Sequence, residues 1–278
     1  GAANATGDGG AGGAVTIDTN NGTVSVTTIT TDGGAATANN DNGGDAGDVT
    51  IDTNSGNTIT LNGAISAAGG ALSGAGTAGA GGDVMFADPV VLATGITITT
   101  GATAGNIAFQ STLDSEANEA NTLSLTAGTG NITFTGAVGS GATQALGAVT
   151  IVSAANVTAS STFEAASLTQ TAGTGTTMLD GVVTTTAAAG VNLTTATIDI
   201  DASVTTSGGV VDLNATTLVD LATGESITTT GDTAGEAGGA IDIDVSGTGT
   251  VNLVGSLDTS GAANATGDGG AGGAVTID

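Results

Sequence analysis

The chain has 278 residues, 26 of them Asp or Glu, with no Lys, Arg, His, Cys, Trp or Tyr and a formal net charge of −26. That inventory excludes disulfides, thiolate metal sites and Lys–Asn isopeptide staples, removes every cationic clamp for nucleic acid or anionic membrane, and leaves few of the usual bases and nucleophiles. Carboxylates, hydroxyls, amides and backbone remain, which are ligands for hard cations such as calcium and hydrogen-bonding groups for sugar or water.

In chain order, residues 1–18, GAANATGDGGAGGAVTID, come first, and they return letter for letter as residues 261–278. The chain therefore reads as one tandem unit, 1–260, followed by the start of an identical unit, 261–278. Self-similarity of this kind marks arrays in which one unit stacks on the next. With no initiating Met, the sequence reads as an interior window of a longer protein, and any targeting signal is expected outside it.

Inside the unit, the pattern Gly-x-[Val/Ile]-x-[Ile/Phe/Leu] begins at Gly13, Gly47, Gly82, Gly105, Gly130 and Gly147, and again at Gly209, Gly239 and Gly273. Gly supplies a corner, and the two apolar residues two positions apart face one side of a strand. Further short strands are expected between the marks, as at 23–27 and 29–31, then 58–61 and 64–66. Marks 17 to 35 residues apart with three short strands per turn predict an all-β chain, a β-solenoid with insertions at its corners. Val15/Ile17, Val49/Ile51, Val84/Phe86, Ile107/Phe109, Ile132/Phe134 and Val149/Ile151 are expected to stack as one interior ladder. Phe86, Phe109 and Phe134 then form an aromatic stack that fills the core. A string of immunoglobulin-like sandwiches is the weaker reading, because the period is short and no Trp or tyrosine corner is present.

Four insertions, 31–48, 66–83, 229–239 and 259–273, consist mostly of Gly, Ala, Asn and Asp and all end at the same Gly-x-[Val/Ile] mark. They are expected to leave from one corner and, because the array wraps, to form one ridge per unit. Such a ridge is either loose solvent-exposed loop or a lateral contact surface between copies. Acids are the second feature. Excluding the repeated Asp268 and Asp278 leaves twenty-four per unit. On ten coils about 4.8 Å apart, that is about one charge per 2 Å of axis, close to the density on duplex DNA. Asp18, Asp52 and Asp244 close the strands VTID, VTID and IDID and are expected to ladder. The segment NNDNGGDAGD, 39–48, carries Asp41, Asp45 and Asp48 among bend-forming glycines. These six acids are the candidate calcium ligands, although the segment matches neither the nonapeptide calcium repeat nor an EF-hand loop.

Residues 123–139, LSLTAGTGNITFTGAVG, together with the recurring Gly-x-Val-x-Ile strands, resemble the repeats of filamentous-haemagglutinin-like adhesins and related giant β-strand-repeat bacterial surface proteins. The resemblance implies a right-handed β-helix, secretion and a role in adhesion, biofilm or the cell surface. The absence of basic residues and the identity of the repeated segment depart from that pattern and point to a bulk fibre or sheath. The expected function is thus an extracellular or cell-surface filament with no catalytic residue, whose partners are other copies of itself rather than nucleic acid or membrane. The stalk of a giant adhesin is the alternative. A carbohydrate-active β-helix using Asp199/Asp201 or Asp242/Asp244 lacks aromatic sugar platforms, and an ice-binding face of Thr97/Thr99 ranks needs coils of equal length.

Overall fold

The structure, a computed structural model, describes residues 1–38, 40–54, 56–141 and 143–278. Among these residues there is no helix, and the strands pair parallel throughout. The chain winds as a β-solenoid of ten coils, each with three faces. Face 1 begins with Val15–Asp18, Val49–Asp52, Val84–Phe86, Ile107–Phe109, Ile132–Phe134 and Val157–Ala159. It continues through Thr176–Leu179 and the second halves of Val191–Ile200 and Val211–Leu221 to Thr250–Leu253. Face 2 runs from Val24–Val26 through Ile59–Leu61, Val90–Leu92 and Leu113–Ser115, across the single residue Val138, which bridges to Leu113 and Phe163, and on to Ser256–Asp258. Face 3 runs from Ile29–Thr30 through Ile96–Thr99, Leu123–Thr126 and the second half of Leu146–Ser153 to Ile241–Val245 and Val275–Ile277.

The alternation of β-branched and polar residues explains the strands. In Val49–Asp52, Ile59–Leu61 and Ile107–Phe109 every second side chain is buried, and Val49, Ile51, Ile59, Leu61 and Ile107 have no exposure at all. Parallel stacking places each inward residue on its counterpart one coil away, so the core is a set of axial ladders. Three of the chain's four aromatic residues lie in one of them, on face 1, and the fourth, Phe163, reaches it from face 2. Phe86 and Phe109 stack with centroids 5.0 Å apart, Phe109 and Phe134 with centroids 5.5 Å apart, and Phe163 meets Phe134 edge-on at 5.6 Å.

The ladder differs from expectation at its sixth rung. Val157/Ala159 follow Ile132/Phe134 on face 1, whereas Val149/Ile151 sit on face 3 above Leu123/Leu125. The 17 residues between Gly130 and Gly147 are too few for three strands and their corners, so they carry the chain over two faces rather than round a full coil.

Candidate functional surface

The insertions fold as ordered arms rather than loose loops. Each leaves the rod, turns and comes back, and its two arms bond to each other and to the arms of a neighbouring coil. Gly10 N donates to Ala2 O, Gly34 N to Gly10 O, Gly44 N to Gly34 O, Gly70 N to Gly44 O and Gly79 N to Gly70 O, all at 2.7–2.9 Å. The glycines are needed here for space. A Cβ on Gly9 would lie 1.8 Å from Gly34 O, one on Gly43 1.8 Å from Gly70 O, and one on Gly70 2.0 Å from Gly34 O. None of these three has a positive φ. Each points a Cα–H at a neighbouring carbonyl, a weak contact that only a missing side chain permits. A threonine closes the neck of each C-terminal insertion: Thr229 Oγ1 donates to Gly239 O at 2.6 Å and Thr259 Oγ1 to Gly273 O at 2.9 Å.

Within the chain these arms occupy two corners. Insertions 31–48 and 66–83 join face 3 to face 1, and residues 1–14 stack on them; 229–239 and 259–273 join face 2 to face 3. The single corner expected from sequence is therefore split, because the coil frame shifts between Gly130 and Gly147.

The acids serve the same coil-to-coil bonding. Asp45 Oδ1 accepts from Ala80 N at 2.7 Å and Asp48 Oδ1 from Asp83 N at 2.9 Å. The second bond opens a ladder that climbs the corner before face 1. Asp83 Oδ1 accepts from Asn106 N, Asn106 Oδ1 from Asn131 N, Asn131 Oδ1 from Asn156 N, and Asn156 Oδ1 from Thr176 N, at 2.7–3.2 Å. Asp48, Asp83, Asn106 and Asn131 are the x residues of Gly-x-[Val/Ile] marks, and Asn156 follows Ala155 at the equivalent place; of these only Asp48 is singled out by the sequence, as a candidate calcium ligand. Asp41 contributes its backbone, accepting from Ser73 N at 3.1 Å. Asn39, the first residue of the acidic segment, lies outside the described residues.

Asp18 and Asp52 pair directly across face 1, and Asn54 joins them, its Nδ2 donating to Asp18 and its N donating to Asp52 Oδ1 at 2.6 Å. Asp244 lies elsewhere, on face 3 opposite Asn214. It lines a shallow groove of about 140 Å³ with Thr194, Thr195, Asn214, Ala215, Thr216 and Ser246. A second open groove, of about 280 Å³, runs over the outside of face 1 between Asp48, Asp83 and Asn106. Among the described residues no three carboxylates come together in an arrangement that could hold a metal ion. Asp45, Asp48, Asp18 and Asp52 each accept from an N–H group of the protein. Among the described residues no helix is long and apolar enough to cross a membrane.

Asp199 stands out electrostatically. It lies on face 1 directly opposite Asp220 of the next coil. Partial burial, and then the charges of Asp201, Asp220 and Asp180, hold its carboxyl above the usual range. A raised folded-state value means that the ionised form disfavours the fold. The penalty is complete above the folded pKa and is relieved as pH falls through it. Asp199→Asn is therefore expected to stabilise by about 0.5 kcal/mol at pH 7, the size of one like-charge pair opposed across strands and partly screened by solvent. The gain should fade as pH approaches the ordinary carboxylate value of 3.8. Thermal melts of both proteins from pH 7 down to pH 4 check this, and a pH-independent difference would contradict it.

Comparison with protein families, with curated proteins and with solved structures finds no match to this chain.

Proposed function

We propose that the chain is one period of an extracellular structural filament, a tandem β-solenoid whose length and stiffness are its function and whose partners are further copies of itself. The observation that carries this reading is the axial bonding of the segment that occurs twice. Strand Val15–Asp18 pairs in register with Val49–Asp52 above it, and its copy Val275–Ile277 pairs in register with Ile241–Ile243 below it. One copy thus has a partner on each side, which is what a coil between two units requires. Each coil touches only its neighbours, so units add without a new interface and strand edges are covered along the axis.

Composition supports an exposed setting. A chain without Lys or Arg offers trypsin-like proteases no cleavage site. In this reading no residue is catalytic, and divalent cations act as counterions of the whole acidic surface rather than as ligands of one loop.

Electron microscopy of a chain of several units tests the proposal. The expected result is a stiff continuous rod that lengthens by about 46 Å per unit, from a strand spacing of roughly 4.8 Å. The rod should persist after calcium is chelated, because backbone hydrogen bonds and buried apolar ladders join its coils. Separate particles joined by slack linkers would overturn it.

A further inference from the structure

The two copies of the repeated segment have the same internal conformation but sit on different faces. Gly10 N donates to Ala2 O and Gly270 N to Ala262 O, each at 2.9 Å. Thr6 N and Thr266 N donate to Asn4 Oδ1 and Asn264 Oδ1, each at 3.1 Å. Yet Val15–Asp18 stands on face 1 and Val275–Ile277 on face 3. From Val15 to Val275 the chain completes nine coils and two faces of a tenth.

We infer that successive units of the filament are rotated by one face, about a third of a turn, so that the array is a three-unit screw and its glycine-arm ridge points in three directions in turn. This rests on the filament reading above. The rotation follows because a unit of nine and two-thirds coils cannot return its own sequence to the face on which it began. A strand that opens face 1 of one unit continues face 3 of the unit before it.

The junction closes without conflict. Toward the preceding coils, the repeated segment donates from Ala262 N to Glu236 O and accepts at Ala271 O from Gly238 N. Toward the following coils, its other copy donates from Gly9 N to Asn42 O and from Gly12 N to Asp45 O, and accepts at Gly10 O from Gly34 N. No donor or acceptor position is used twice, so one copy can make both sets of bonds.

Once two units are joined, the four insertions come together. Insertions 229–239 and 259–273 at one corner are followed on the next two coils, at the same corner, by the next unit's 31–48 and 66–83. The two half-bundles that stand at different corners of a single chain are the ends of one four-layer bundle. Each unit carries one such ridge, about a third of a turn from the last and about 46 Å further along, so the azimuth recurs only after about 140 Å. A ridge confined to one azimuth would let rods pair only into ribbons. A ridge that rotates offers contacts on three sides, which suits a bundle or a sheath built from copies of the same rod.

The test uses a chain of six units carrying Ala78→Cys. The native sequence has no cysteine, and Ala78 is exposed in an arm, so each unit gains a single reactive thiol for a gold cluster. Cryo-electron microscopy is expected to show labels advancing by about 46 Å and 120° per unit, with every third label at the same azimuth. The unlabelled chain should give the same rise and rotation by helical averaging, which guards against damage by the label. A continuous rod with labels in one line and a rise of a whole number of coils would overturn the screw while leaving the filament intact. Beads on slack linkers would overturn the filament itself.

Discussion

Phe109→Ala is expected to destabilise the rod by about 3–5 kcal/mol, the usual cost of deleting a buried aromatic ring. Phe109 is 1% exposed and lies between two rings, with Phe86 on one side and Phe134 on the other. Its removal leaves a gap along the axis that neither neighbour can fill, because each ring is held by its own strand in a fixed register. In a globular core the loss would be shared among many contacts. In a solenoid each coil is supported only from above and below, so a weak rung also uncouples the two halves. Urea denaturation should therefore show a lowered midpoint and a broadened or split transition. A loss below about 1 kcal/mol with cooperativity intact would mean that the aromatic ladder is not what joins these coils.

Much of this was legible in the sequence. The two-residue spacing of Val49/Ile51 and Ile107/Phe109 specifies inward pairs, and the strands at Val24–Val26, Ile29–Thr30, Ile59–Leu61 and Ile65–Ser66 fall within a residue or two of where the pattern predicts them. Parallel stacking follows because successive marks are too similar and too closely spaced to be packed any other way. The change of face was harder to see, since Gly147-Ala-Val-Thr-Ile looks like the marks before it. Two physical signals were present. One was the short interval of 17 residues, and the other was the residue after the glycine. Asp48, Asp83, Asn106 and Asn131 each offer a side-chain oxygen to the coil above, whereas Ala148, Val210 and Ala240 on face 3 cannot. Ala14 breaks that rule on face 1, and its copy Ala274 lies on face 3. The repeated segment is thus the one place where a single sequence must serve both frames.

The arms were not legible as structure. Gly, Ala, Asn and Asp in quantity are the composition of a flexible loop, and no periodicity distinguishes a packed arm from a solvated one. What orders them is stacking on neighbours that are themselves arms, a condition visible only once the coils are in register. The same holds for the acids. Asp45 and Asp48, spaced among glycines, read as ligands bent round an ion, and the spacing does not show that each also accepts an N–H of the next coil, from Ala80 and Asp83 at 2.7 and 2.9 Å.

Gly70→Ala tests whether the arms are a packed structure in their own right. The added methyl would stand 2.0 Å from Gly34 O, 2.6 Å from Gly34 C and 3.0 Å from Gly44 N, all of them backbone atoms with no rotamer by which to give way. The arms must part, and with them the bonds from Gly70 N to Gly44 O and from Gly79 N to Gly70 O, at 2.8 and 2.9 Å. The loss is confined to the ridge, because the coil core beneath, from Val49 to Phe86, does not depend on those bonds. Amide exchange at Gly44, Gly70 and Gly79 should accelerate by orders of magnitude while the melting temperature of the rod moves little, the pattern of a local opening rather than a global one. Gly22→Ala is the control. Nothing lies within 4 Å of its added methyl and its φ is not positive, so it should be neutral or stabilise by about 0.4–1 kcal/mol through the unfolded chain. If Gly70→Ala leaves exchange at the arms unchanged, as Gly22→Ala should, the glycines are filler and the ridge is loose. If exchange rises only at the arms, the chain consists of two materials bonded along one axis: an apolar rod that sets stiffness, and a glycine bundle whose surface alone is free to meet another copy.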